Sequence, residues 1–247
     1  MKILFDVGNT HTTVALTENG KFFKIKRIST YSIQTEDELY AYLKVFFGET
    51  YDEVIVSSVV PNINHVFEFF SKKYAGKSAI FLNAQSYKGI TWNVKIPSEI
   101  GADRVANIIA AERDYGKDAI VVDFGTAITI DILKEKSYEG GIIIPGFSMM
   151  INALFKGTAK LPKVELKPFN GFIGKDTESN IRIGIINTVV EGIGSVINKI
   201  KNENFRDVPV IFTGGQSKII MDYKRDVIYD LELGLRGIYY FYESVVS

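Results

Sequence analysis

Asp6 stands at the end of the apolar run Lys2-Ile3-Leu4-Phe5 and is followed by Val7-Gly8-Asn9-Thr10. An aspartate so placed can hold magnesium through water, because this hard cation takes one or two carboxylates and leaves the remaining positions to water and phosphate. Gly8 lets the backbone approach a ligand closely. Asn9, Thr10 and Thr12 add amide, hydroxyl and backbone N–H donors, the groups that hold phosphate oxygens. The same residues also suit an Asx-type turn in which Asp6 only caps a hairpin.

A second copy of the pattern, Asp123-Phe124-Gly125-Thr126, follows the run Ala119-Ile120-Val121-Val122. Two such turns facing one another across a cleft between domains would form a ligand site of a common kind. A third glycine turn, Thr213-Gly214-Gly215-Gln216-Ser217, follows the strand pattern Val208 to Phe212. A helix expected from about Ser217 would aim backbone amides at an anion, or Ser217 would simply cap it. No Gly-x4-Gly-Lys-Ser/Thr stretch occurs, which excludes a Walker-type loop. Gly192-Ile193-Gly194 lies inside a helical pattern and reads as close helix packing.

Asp103 precedes a helix predicted over Arg104 to Asp114, with apolar Val105, Ile108 and Ile109. On the residues alone it suits an N-cap, where the helix N-terminus would favour its ionised form. Arg104 is suited to a carboxylate or a transferring phosphate as a bidentate donor.

The elements that must position these residues are legible in outline. Lys2 to Phe5 and Thr12 to Leu16 read as strands, and Asn19-Gly20 marks a hairpin into Phe22 to Ile25. Glu36 to Phe47 and His65 to Tyr74 have helical spacing, with a buried strand between them from Glu53 to Val60. From residue 119 the opening recurs: strands at Ala119–Val122, Ile128–Leu133 and Tyr138–Ile144, then helices over Phe147–Phe155 and Asn180–Lys201. Aligned without gaps, Asp6/Asp123, Gly8/Gly125, Thr12/Thr129 and Leu16/Leu133 share an offset of 123 − 6 = 117 residues. A repeat of that length implies two similar domains, 1–117 and 118–247. Gly116 is the expected C-cap at the boundary, and the last helix is left able to pack back on the first domain.

Composition narrows the chemistry. Lysine plus arginine number 29 and aspartate plus glutamate 29, so there is no net basic charge to mark a nucleic-acid partner. With no cysteine and two histidines, His11 and His65, disulfides, thiolate nucleophiles and Cys- or multi-His metal sites are excluded. A metal must be a hard cation held by oxygen. Asp6 interrupts the apolar N-terminus too early for a secretory signal, and no run of about 18 apolar residues predicts a membrane span. A cytoplasmic protein without membrane partners is expected.

Duplicated Asp-x-Gly with Thr-Gly-Gly resembles the actin, sugar kinase and Hsp70 superfamily, and within it the type III pantothenate kinase family. The matching blocks are Asp6–Thr10, Pro97-Ser98-Glu99-Ile100-Gly101-Ala102-Asp103-Arg104, and Asp123-Phe124-Gly125-Thr126-Ala127. They continue with Gly140-Gly141-Ile142-Ile143-Ile144-Pro145-Gly146, Gly174-Lys175-Asp176-Thr177 and Thr213-Gly214-Gly215.

The resemblance implies an α/β chain of two ribonuclease H-like (actin-like ATPase) domains, each a mixed sheet with flanking helices, and an active site in the cleft between them. It implies ATP-dependent phosphorylation of pantothenate to 4′-phosphopantothenate, the first step of coenzyme A biosynthesis. Asp103 would be the general base, and Gly101, Ala102, Asp103, Arg104 and Thr177 would contact pantothenate. ATP and its phosphates would meet Asp6, Val7, Gly8, Asn9, Thr10, His11, Thr12, Thr13, Thr126, Gly214 and Gly215. Asp6 would hold Mg2+ through water, Asp123 would hold K+ or NH4+, and the protein would be a homodimer. On the residues alone, Thr177 also reads as a helix cap, and the stripe Ile186, Val189, Val190, Ile193, Ile197 and Ile200 as core with part available to a dimer seam.

Two positions depart from the family pattern: Ala15 stands where many members have glycine, and Val94 where many have tyrosine. Trp92 is a candidate for the missing aromatic surface. An actin-like nucleotide-binding regulatory or accessory protein, or a kinase of another small alcohol, are the alternative functions.

Overall fold

The computed structural model describes residues 1–48, 50–167, 171–204, 207–221 and 226–246. In chain order the strands are β1 (Lys2–Val7), β2 (His11–Glu18), β3 (Lys21–Ser29), β4 (Glu53–Ser58), β5 (Ile80–Phe81), β6 (Thr91–Trp92), β7 (Ala119–Phe124), β8 (Ala127–Lys134), β9 (Ser137–Pro145), β10 (Val210–Thr213) and β11 (Ile228–Tyr229). The helices are α1 (Glu36–Phe47), α2 (Asn64–Tyr74), α3 (Ala102–Tyr115), α4 (Phe147–Gly157), α5 (Thr177–Asn204) and α6 (Leu233–Val246). They form two compact units: Met1–Lys117 with Glu135–Glu139 and Glu232–Ser247, and Asp118–Lys134 with Gly140–Leu231.

The first unit carries the sheet β3-β2-β1-β4-β5. β1 runs antiparallel to β2 and parallel to β4. The hairpin between β2 and β3 turns at Asn19 (φ 51°) and Gly20 (φ 77°), the left-handed pair that a two-residue hairpin demands. Side chains alternate along each strand. Ile3, Phe5 and Val7 meet Val14 and Leu16 in one core with Leu39 and Leu43 of α1 and Phe67 and Phe70 of α2. The Phe5 ring lies 4.9 Å from Phe67 and 5.8 Å from Phe70; burying each such side chain contributes about 1.5–3 kcal/mol.

Leu4, Ala15 and Ile55, on the opposite face, are equally buried, and α3 and α6 are the helices packed on β4 and β1. α6 crosses α3 so closely at Gly237 that a Cβ there would overlap the Ala106 backbone. The last helix therefore completes the first unit. α3 itself begins at Ala102 with Gly101 as N-cap and ends on Gly116 at φ 109°. Asp103 lies inside the first turn, so the N-cap reading of Asp103 is corrected.

In the second unit the order is β11-β10-β7-β8-β9. Ile120, Val122 and Phe124 of β7 and Ile128 and Ile130 of β8 pack against Ile186, Val189, Val190, Ile193 and Ile197 of α5. By length and composition alone, the helix over residues 177–203 would suffice to cross a membrane: an 18-residue stretch of it has a mean hydropathy of 1.2, and 44% of that stretch is buried within the structure. The apolar stripe makes α5 a core helix. Gly192 does not serve close packing as expected, since a Cβ there would meet nothing within 4 Å.

The repeat holds with one adjustment. Asp6 pairs with Thr13 across β1 and β2, whereas Asp123 pairs with Thr129 across β7 and β8. Gly8 N–H bonds to the His11 carbonyl and Gly125 N–H to the Ala127 carbonyl, both at 3.1 Å. The first turn is thus one residue longer, and Thr13 rather than Thr12 corresponds to Thr129. An ungapped alignment could not register this.

Candidate functional site

In the first unit the site begins where β1 and β4 end side by side, the position at which open parallel sheets bind ligands. Register sets Asp6 opposite Thr13 on β2 and Ser57 on β4. Thr13 in turn stands opposite Arg27 on β3. Arg27, Thr13, Asp6 and Ser57 therefore form one row on the face that carries Leu4 and Ala15. Asp6 is half-buried, Asn9, Thr10 and His11 are exposed, and Val7 points into the core.

The turn between Val7 and His11 is fastened from behind. Thr30 Oγ1 donates to the Gly8 carbonyl at 2.6 Å, and the Thr12 and Thr30 hydroxyls lie 3.0 Å apart. Thr30 N–H also bonds to the Thr10 carbonyl at 3.1 Å. Thr12 is fully buried, so its hydroxyl serves this brace and not a ligand, which differs from the donor role expected of it. Thr30 was not among the expected site residues; its partners lie 18 and 22 residues away in sequence.

His11 Nδ1 lies 3.2 Å from Arg27 Nη2. The guanidinium has only donors, so Nδ1 accepts and the imidazole proton sits on Nε2. Partial desolvation against its neighbours lowers the pKa of the largely exposed His11 ring below its ordinary value, and the Arg27 charge lowers it further.

The corner Gly101-Ala102-Asp103-Arg104 reaches the same strand ends. Val59 N–H bonds to the Val7 carbonyl at 3.0 Å, and a Cβ built on Gly101 would lie 3.4 Å from Val59 Cγ1 and 2.6 Å from Asp103 Oδ1. Only glycine leaves the Asp103 carboxylate its place. Asp103 Oδ1 accepts the Arg104 N–H at 2.7 Å, in the first turn of α3, where the helix dipole favours negative charge. Ala102 is buried, whereas Asp103 and Arg104 are half-buried.

Arg104 Nη2 donates to the Tyr138 hydroxyl at 2.7 Å. The Tyr138 ring packs 5.6 Å from that of Trp92, whose Nε1–H bonds to the Tyr87 carbonyl at 3.3 Å. Trp92 thus stands behind Tyr138, and the aromatic residue at Arg104 is Tyr138 of β9. Strand pairing of β6 with the start of β9 sets this arrangement, which local sequence around Val94 does not show.

The second unit gathers Asp123, Gly125-Thr126, Gly146 and Gly214-Gly215. Asp123 pairs with Thr213 across β7 and β10. A Cβ on Gly214 (φ 85°) would collide with Asp123 Oδ1 and come within 2.6 Å of Phe124 N. Gly146 N–H bonds to the Thr126 carbonyl at 3.1 Å, and Gln216 N–H to that of Phe124 at 3.1 Å. Thr126 and Gly215 are exposed.

The helix expected from Ser217 is a three-residue 3-10 turn, Ser217–Ile219, too short to act as a helical anion site; residues 222–225 lie outside the described residues. Beside it, Gln216, Ser148, Asn152, Lys163 and Glu165 contribute to the lining of a cavity of about 280 Å³.

Thr177 is the first residue of α5 and is exposed. The cap is Asp176, whose Oδ1 accepts the Ser179 N–H at 2.8 Å. That bond, first among its causes, lowers the Asp176 pKa.

Among the described residues no group of three or more His, Cys, Asp and Glu side chains stands together as a metal cage. Asp6, with Thr13 and the buried, unpartnered Ser57 hydroxyl in its row, suits a hydrated divalent ion whose other ligands come from phosphate. Asp123 is half-buried, with the Gly214 backbone close against its Oδ1.

The family model for type III pantothenate kinase matches residues 2–199. A type III pantothenate kinase of Thermosipho africanus is 67% identical over 247 residues, covering 99% of each chain. One from Fervidobacterium nodosum is 56% identical over 247 residues, covering 99% of this chain and 98% of that one. A ROK family glucokinase from Streptomyces griseus, solved with glucose and AMPPNP, shares the fold with a TM-score of 0.51 at 11% identity, covering 96% of this chain and 97% of that one. The α/β architecture is that of the actin-like and sugar kinase proteins, and the chain belongs to the type III pantothenate kinase family.

Proposed function

We propose that the chain transfers the γ-phosphoryl group of ATP to the primary hydroxyl of pantothenate, giving 4′-phosphopantothenate and ADP, the first step of coenzyme A biosynthesis. The observation that carries this reading is the Gly101–Asp103 corner, which brings a carboxylate on a helix N-terminus to the strand ends bearing Asp6. The hydroxyl oxygen forms its bond to the γ-phosphorus as the bond to the β–γ bridging oxygen breaks. Asp103 takes the hydroxyl proton, and ADP carries away the electron pair. Such transfers depend chiefly on positioning and charge stabilisation, while a general base supplies about 10²–10⁴-fold.

In this reading the turn from Asp6 to Thr13 holds the phosphates, with Mg2+ at Asp6 through water. Thr126, Gly214 and Gly215 contact ATP, with K+ or NH4+ at Asp123. Gly101, Ala102, Arg104 and Thr177 contact pantothenate. A homodimer in the cytoplasm belongs to the same reading; Phe172 (82% exposed) and Ile173 (74%) offer apolar surface for a second copy.

The test is ADP release with and without pantothenate in Mg2+ and K+, on the wild type and Asp103→Asn. Stimulation by pantothenate that disappears in the variant, with ATP binding retained, supports the proposal. No stimulation in the wild type would leave a nucleotide switch or another acceptor. Near-normal turnover by the variant would remove Asp103 from its role.

A further inference from the structure

We infer that Arg27 supplies a positive charge to the phosphate-holding turn of the first unit, a role that rests on the proposal that this turn binds a nucleotide polyphosphate. The run Asp6 to Thr13 contains no lysine or arginine, yet a nucleoside triphosphate carries about four negative charges against the two positive charges of one magnesium ion. Arginine is the side chain best shaped for phosphate, with a fixed fork of donors.

Three observations bring Arg27 to the turn. It occupies the row of Thr13 and Asp6, two strand spacings of about 4.8 Å from β1. Its Nη2 is held 3.2 Å from Nδ1 of His11, the first residue after the Gly8-Asn9-Thr10 turn. Both side chains are exposed on the face of Asp6, so the donors not directed at His11 lie at the rim of the site.

An edge strand often carries cations merely to discourage pairing with another chain, and β3 also bears Lys21, Lys24 and Lys26. Lys24 and Lys26 alternate onto the other face, where Lys26 Nζ lies 4.8 Å over the Phe46 ring. The pairing register separates Arg27 from them.

The test is calorimetric binding of ATP, ADP and adenosine, with magnesium at moderate salt, to the full chain and to Arg27→Ala and Arg27→Lys. A charge-assisted bond lost from phosphate corresponds to roughly a 10-fold weakening or more. Arg27→Ala should weaken ATP and ADP binding by about that factor, leave adenosine binding and the KM for pantothenate unchanged, and be partly restored by lysine. Equal weakening of ATP and adenosine, or unchanged ATP binding, would overturn the assignment. If the wild type binds no ATP, the reading of the turn fails and the assignment with it. If the wild type binds and Arg27→Ala binds equally, only the assignment fails.

Discussion

Thr30 Oγ1 donates its one hydrogen to the Gly8 carbonyl at 2.6 Å, so the Thr12 hydroxyl, 3.0 Å away, must be the donor to Thr30. The order of donors makes the brace directional: Thr12 holds Thr30, and Thr30 holds the turn. Replacing Thr30 by valine removes the clamp and leaves the buried Thr12 hydroxyl without its acceptor. A loss of about 1–3 kcal/mol in unfolding free energy is expected from urea denaturation, with weaker ATP binding. Thr12→Val with Thr30→Val should cost less than the sum of the single changes, because the pair acts as a unit.

Gly101→Ala tests the corner at Asp103. The added methyl would need the space 2.6 Å from Asp103 Oδ1, at a φ of −55° that alanine adopts without strain. The carboxylate must turn away while the helix remains. Turnover should fall by up to about 100-fold, the scale of a misplacement near 1 Å, with ATP affinity retained in calorimetry.

At Gly214 both reasons for glycine apply. The φ of 85° is left-handed, and a Cβ would strike Asp123 Oδ1. Gly214→Ala should lower stability by about 1–3 kcal/mol and, with K+ proposed at Asp123, blunt the activation by K+ which that proposal expects, measured as turnover against potassium concentration. Retained potassium activation in a folded variant would separate Asp123 from that ion.

His11 gives a pH signature. Its folded pKa lies below the ordinary 6.5, through partial desolvation of the ring first and the Arg27 charge second. Between the folded value and 6.5 the unfolded chain binds more protons than the folded one. Stability therefore falls as pH drops through that window and shows no such dependence above it. Because His11 is exposed, the NMR titration of its ring is the sensitive measurement. The midpoint should lie below 6.5 and move up part of the way in Arg27→Ala, since the contribution of desolvation remains.

The sequence by itself determined the strand–turn–strand openings, the Asn19-Gly20 hairpin and the places of Asp6 and Asp123 near the ends of their strands. Those features depend on neighbours within a few residues, where side-chain period and turn chemistry act directly. The Asp-x-Gly turns and the Gly-Ala-Asp-Arg block also sufficed to suggest the family.

Tertiary structure decided what depends on register and on distant contacts. Thr12 became a buried brace because β2–β3 pairing brings Thr30 to it. Arg27 reached the row of Asp6 by the same pairing. Tyr138, 34 residues from Arg104, reaches the Arg104 guanidinium because β9 runs beside β6. The one-residue difference between the two turns emerged from hydrogen-bonded pairs, since a single added residue moves every later side chain to the other face of its strand. The close crossing of α6 on α3 at Gly237 likewise joins residues more than 120 apart, a separation over which local pattern carries no information.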